Sequence, residues 1–227
     1  SCTAIGFFAL GSNTTGSQCT AVGYDALGDN TTGNYSVAVG SQALEKNTTG
    51  ANNVAVGLQA LEENTTADSN TAVGHACLSE NTTGGLNTGV GYEALKLNTT
   101  GQHNTALGSD SLAACSTGEK NVAIGRLAMG QGQGGTDPDR CVAVGAYSLE
   151  NNSGDNNTAI GADALNDNTT GQQNVAVGTY ALDAASTVSH NTAIGYNAGT
   201  DATGGQNTFL GSTTGVPVSY THLTLPT

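Results

Sequence analysis

Short apolar triplets recur along the chain at a fixed interval, and each ends on a glycine. Val54-Ala55-Val56, Thr71-Ala72-Val73 and Val122-Ala123-Ile124 stand directly before Gly57, Gly74 and Gly125. β-Branched runs bounded by Asn and Gly predict short strands. Side chains alternate between the two faces of a strand, so Val54 and Val56 share one face and Ala55 takes the other. A second apolar pair follows the glycine, as in Ala26-Leu27, Ala43-Leu44, Ala60-Leu61, Ala94-Leu95, Ala164-Leu165 and Ala181-Leu182. Next comes Asn-Thr-Thr-Gly, at Asn13, Asn30, Asn47, Asn81, Asn98 and Asn168, which is turn chemistry because Asn and Gly tolerate positive φ. The pattern predicts a strand, a bend, a second strand and a turn in every unit.

The interval is 17 residues: Gly6, Gly23, Gly40, Gly57, Gly74, Gly91, Gly108 and Gly125 keep it without a break. After a step of 20 the series continues through Gly145, Gly161, Gly178, Gly195 and Gly211, for thirteen copies in all. Helical repeats need roughly 34 residues or more per unit, whereas this interval suits one coil of a parallel β-solenoid. Residues 1–215 are therefore expected to form an all-β solenoid of about 13 coils. With coils stacked about 4.8 Å apart, the rod would be on the order of 60 Å long.

Hydropathy places the aliphatic side of each strand inside. The expected core is Val22, Val39, Val56, Val73, Val90, Ile124, Val144, Ile160, Val177 and Ile194, with Leu27, Leu44, Leu61 and Leu95. The middle residue of the triplet would then face outward, yet it is Ala in eleven of the thirteen copies, with Gly89 and Phe209 as the exceptions. A solvated position would drift toward polar residues, so its constant smallness suggests a second backbone packed against it. The expected chain interface is Ala21, Ala38, Ala55, Ala72, Ala106, Ala123, Ala159, Ala176 and Ala193. Two or three aliphatics per coil are also a thin core for a lone rod, which points to several chains side by side, three as the first expectation.

Composition narrows the function. Five Lys and Arg against 18 Asp and Glu give a net charge of −13, which repels nucleic acid and anionic lipid. No apolar run approaches the ~20 residues that span a bilayer. No nucleophile elbow, phosphate loop or paired zinc cysteines appears, so neither an enzyme nor a cofactor is expected. His75, His103, His190 and His222 lie at unrelated places and form no triad. Carboxylates such as Asp25, Glu93, Asp110 and Asp163, with Glu45, Glu62, Glu63 and Glu80, recur near the bends, but without the nonapeptide pattern of calcium-binding β-rolls.

Of the five cysteines, Cys2, Cys19 and Cys141 replace Asn at one repeat position, Cys77 replaces an Ala and Cys115 replaces a turn Asn. Cys2 and Cys19 fall on adjacent coils within disulfide reach, but the odd count favours free thiols. Asn-Thr-Thr is formally a glycan acceptor, although its strict periodicity reads as Asn and Thr ladders stacked along the rod. The stretch Gly130 to Arg140 lengthens one unit and reads as a protruding loop. Residues Val218 to Thr227 abandon the repeat and resemble a translated sequencing-library adaptor, and Ser1 opens mid-motif as an internal fragment would.

Asn-Val-Ala-Val-Gly at Asn53, Asn-Val-Ala-Ile-Gly at Asn121 and Asn-Thr-Ala-Ile-Gly at Asn157 and Asn191 resemble the head repeats of YadA-like trimeric autotransporter adhesins. They are also similar to repeats with Asn-Thr-Thr-Gly spacers in phage tail-fibre proteins. The resemblance implies a left-handed parallel β-roll, three chains around one axis, aliphatics inside each roll and the small residue toward the other chains. The 17-residue unit is longer than the usual adhesin head unit. The implied function is a structural or adhesive rod on a virion or bacterial surface; Tyr24, Tyr92 and Tyr196 read equally as contacts for a surface glycan or matrix protein and as a stacking ladder along the rod. The alternative is a solitary ice-binding solenoid, motivated by Thr14-Thr15, Thr31-Thr32 and Thr48-Thr49, against which stands their place in a turn.

Overall fold

The structure, a computed structural model, describes residues 1–131 and 137–215. Thirteen strands of three residues each, from β1 (Thr3–Ile5) to β13 (Thr208–Leu210), form one parallel sheet in strict sequence order. They are the read triplets, and they stack in register: Val37, Ala38 and Val39 of β3 (Val37–Val39) face Val54, Ala55 and Val56 of β4 (Val54–Val56). The chain is thus a β-solenoid of about twelve turns, each turn bonded to the ones before and after it.

The anchor glycine makes the corner after each strand. Gly57 has φ +140°, and a Cβ there would sit 2.3 Å from the carbonyl oxygen of Gly74 in the next coil. Only glycine meets both demands, which explains a column without substitution.

The segment after the corner is not the expected second strand. Alternate residues are left-handed, Asp25 at φ 56° and Leu27 at φ 52° in one coil, Gln42 at 58° and Leu44 at 53° in the next. This zigzag turns successive amides up and down the rod axis. Asp25 N–H donates to the Phe7 carbonyl of the preceding coil and Leu27 N–H to the Ala43 carbonyl of the following one, at 2.9 and 3.0 Å. Each left-handed non-glycine residue costs roughly 1–2 kcal/mol, offset by backbone groups that would otherwise lie buried without partners.

The core reverses the expected sides of the strand. Ala21, Ala38, Ala55, Ala72, Ala106, Ala123, Ala159, Ala176 and Ala193 are buried inside the chain's own solenoid, so they are not a chain interface. Val22, Val39, Val56, Val73, Val90, Ile124, Val144, Ile160, Val177 and Ile194 point outward and are half-buried to exposed, so they are not solenoid core. Volume is the reason. Leu27, Leu44, Leu61 and Leu95, and Leu78, Leu112, Leu149, Leu165 and Leu182 in other coils, fill the interior at 0% exposure. Across a coil this narrow, only a methyl fits opposite a leucine. Each buried leucine contributes roughly 1.5–3 kcal/mol, the main apolar term.

The two departures from alanine obey the same rule. Cys77 enlarges the opposite wall, and Gly89 makes room, since a Cβ on Gly89 would lie 2.6 Å from the Cys77 Sγ. At the far end Gly199 stands where other coils have leucine, and the Phe209 ring fills the space, 2.6 Å from where a Gly199 Cβ would be.

Two polar ladders flank this apolar column. Asn47 Nδ2 donates to Asn30 Oδ1 and Asn64 Nδ2 to Asn47 Oδ1, at 2.9 and 2.8 Å, each also reaching a carbonyl of its own turn. In the second ladder Asn70 N–H donates to Asn53 Oδ1 and Asn87 N–H to Asn70 Oδ1, both at 2.9 Å. Thr31 and Thr48 hydroxyls donate to carbonyls one coil on. The turn amides Asn30, Asn47, Asn81, Asn98 and Asn168 are fully buried, which leaves the folded rod no accessible glycan acceptor there. Where Cys115 and Ala185 interrupt the first ladder, Asn98 Oδ1 and Asn168 Oδ1 have no partner.

The lengthened unit falls partly outside the described residues. Where the chain returns, Asp137 Oδ2 accepts from the backbone and hydroxyl groups of Ser116 and Thr117 at 2.6 to 3.0 Å. Burial works against this charge, but those bonds outweigh it and hold the carboxyl below its ordinary value. Residues Val218 to Thr227, His222 among them, also lie outside the described residues.

Candidate binding surfaces

Two surfaces depart from an ordinary solvated exterior. The first is the outward side of the sheet. Its two columns are Thr or Val at the first strand position and Val, Ile or Leu at the third, in all thirteen strands. Val39 is 37% exposed, Ile160 42% and Ile194 43%. In-register stacking joins the third-position residues into one continuous apolar stripe beside a mixed column of Thr and Val.

The second surface is the flank beyond the glycine corner, where a side chain projects from each coil. Tyr24, Tyr92 and Tyr196 are all exposed there. Each meets an aromatic ring one coil away. Tyr24 stacks on Phe7 with centroids 5.9 Å apart and Tyr92 on His75 at 5.2 Å, while Tyr196 meets Tyr180 edge-on at 6.1 Å. The three pairs are separated along the rod and form no continuous ladder. Two further histidines, His103 and His190, are exposed in the turns.

Beside the His75–Tyr92 pair the flank is notched. Ala76 and Ser79 are small and buried where the preceding coil carries Gln59 and Glu62 and the following coil Glu93 and Lys96. The result is a groove of about 610 Å³ lined by these six residues, His75, Glu63, Glu80, Thr82 and Thr99. Its charges are organised. Lys96 Nζ lies 3.1 Å from Glu93, and the Tyr92 hydroxyl and Lys96 together hold the Glu93 carboxyl below its ordinary value. On the opposite wall burial pushes Glu62 up, and Glu63 pairs with Lys46 at 2.5 Å. Sequence reasoning missed this groove, although its signal was present: Ala76 and Ser79 are smaller than their counterparts in both adjoining coils, Gln59 and Glu62 before and Glu93 and Lys96 after.

Among the described residues, no cluster of three or more His, Cys, Asp or Glu could hold a metal ion, and no helix is long and apolar enough to cross a membrane. All five cysteines are free, Cys2 exposed and the others buried. Cys19 N–H donates to the Cys2 Sγ at 3.4 Å, so these two are neighbours across adjacent coils. Burial drives the Cys77 and Cys115 thiols up to about 12 and Cys141 to about 11, which keeps them protonated and unreactive. No family model, curated protein or solved structure matches the chain.

Proposed function

We propose that the chain is a segment of a projecting fibre, the attachment rod of a phage tail fibre or a bacterial surface adhesin, built from several copies packed side by side. Three chains in left-handed rolls are the arrangement the sequence resemblance favours. The observation that carries the reading is the unbroken outward stripe of aliphatic residues from Ile5 to Leu210. Together with the adjoining column of Thr and Val it presents a face of about 60 Å by 10 Å, roughly 600 Å², about half of it aliphatic. A stable interface takes roughly 800 Å² per partner, so the stripe with its rims is of the right order. Association runs through this stripe, not through the alanines. Repetition along a rigid rod then offers a polyvalent array to a glycan or matrix protein.

Sedimentation equilibrium on the full chain tests the assembly. A trimer is expected, dispersed by Val39→Lys with Val56→Lys while circular dichroism stays unchanged. A stable folded monomer at every concentration would overturn it.

One observation favours a second reading, a solitary ice binder. The outward first column carries threonine in eight strands, among them Thr71, Thr88 and Thr105, on an in-register sheet whose regular spacing suits the ordering of water. The paired turn threonines that first motivated this idea have Thr14, Thr31 and Thr48 engaged in the ladder instead. Absence of thermal hysteresis in the purified protein would end that reading.

A further inference from the structure

We propose that Cys2 and Cys19 form a reversible disulfide, a redox staple that fastens the coil of β1 (Thr3–Ile5) to the coil of β2 (Thr20–Val22). The two cysteines take the place of asparagine in the second ladder, in consecutive coils. The strands that follow them pair in register, Thr3 with Thr20, which sets the two residues one coil rise apart, about 4.8 Å. Disulfides span roughly 4.4–6.8 Å between Cα atoms. The side chains also turn toward each other's coil. Cys19 N–H donates to Cys2 Sγ at 3.4 Å, and burial together with the nearby Cys2 thiol raises the Cys19 thiol above its ordinary value.

No other cysteines among the described residues are placed this way. Cys141 has Asn121 and Asn157 as its column neighbours, Cys77 stands in a column of alanines and Cys115 in the first ladder. Access separates the pair as well, since Cys2 is exposed while Cys77, Cys115 and Cys141 are buried. With a small disulfide such as oxidised glutathione, the Cys2 thiol loses its proton, its sulfur attacks, and a mixed disulfide forms as one glutathione thiol leaves. Cys19 then loses its proton and attacks Cys2 Sγ, and the second glutathione leaves as a thiol. One protein disulfide is made and one glutathione disulfide is reduced. In the reduced state the ladder is weak at this step, because sulfur is a poor acceptor. Asn70 and Asn87 N–H groups find amide oxygens at 2.9 Å instead.

The test takes the full chain through glutathione buffers from a cytosolic to a secretory poise. The tryptic peptide ending at Lys46 holds both cysteines and no other, so its mass reads the bond directly. The expected result is two blockable thiols at the reducing end and a peptide lighter by two hydrogens at the oxidising end. Amide exchange gives the second reading. Thr3 N–H bonds to the Cys19 carbonyl and Gln18 N–H to the Ser1 carbonyl, both at 2.9 Å. Oxidation should slow their exchange by about a hundredfold, the scale for closing a loop of this length. Cys2→Ser and Cys19→Ser should abolish the response without disturbing the fold, because Ser36 holds the same position in the next coil. Glutathione retained on Cys2, chains linked in pairs through Cys2, thiols still reduced at the oxidising end, a bond that survives the reducing end, or unchanged exchange after oxidation would each overturn the proposal.

Discussion

The two sides of a single strand make the most instructive comparison in this molecule. In β3 the small Ala38 is sealed inside, while the larger and more apolar Val39 beside it is 37% exposed. Hydropathy would order them the other way. Space decides instead: with 17 residues per coil the interior accommodates one leucine, a few methyls and two asparagines. The inner side is a packing problem solved within one chain, and the outer side is surface offered to something else. Stripe and core therefore answer to different tests.

The largest effect should come from the core itself. Leu61→Ala is expected to lower unfolding free energy by about 2–5 kcal/mol in a denaturant titration, and a loss under about 1 kcal/mol would contradict the view that leucine is the main filler. Overfilling comes next. Ala55→Leu should cost about 1–3 kcal/mol, whereas Val56→Leu on the other side of the same strand should stay within about 0.5 kcal/mol. Equal costs for these two would break the comparison. Cys115→Asn should restore the interrupted ladder, give Asn98 Oδ1 a donor and raise stability by about 1 kcal/mol.

A pH series sharpens the picture further. Burial, followed by the charges of Asp167 and Asp163, raises the Asp183 carboxyl to about 6. Because the folded value lies above the ordinary one, its contribution is favourable in acid and is lost as pH rises through about 6. Asp183→Asn should therefore match wild type in acid and melt higher above that range, by an amount worth about 1 kcal/mol once its half-exposed position is allowed for. The smallest effect belongs to the stripe. Val56→Thr should change the stability of a single chain by less than about 0.5 kcal/mol, although it weakens association.

Period, anchor glycine, strand triplets, buried leucines and stacked Asn and Thr ladders were all legible in the sequence, since each repeats in register and a repeat reports its own geometry. The sign of the strand was not. Alternation separates Val54 and Val56 from Ala55 but does not say which face points inward, and the thin coil reverses the usual answer. The left-handed zigzag was hidden as well. Leu27, Gln42 and Leu44 carry no preference for positive φ, and the neighbouring coils impose it. The notch was half visible, because Ala76 and Ser79 are smaller than their counterparts in the adjoining coils, but their three-residue spacing acquires meaning only when the zigzag puts both on one flank.

The in-register pairing of every strand with the one 16 to 20 residues away has a consequence for how such a molecule changes over generations. Each coil recognises only its neighbours, and all coils offer nearly the same edges. Removing or duplicating one whole unit would leave two matching edges to join, so length can be altered without redesigning anything else. The rod is adjustable in increments of about 4.8 Å, and the reach of whatever it carries can be tuned by counting units while the stripe and the ladders rebuild themselves.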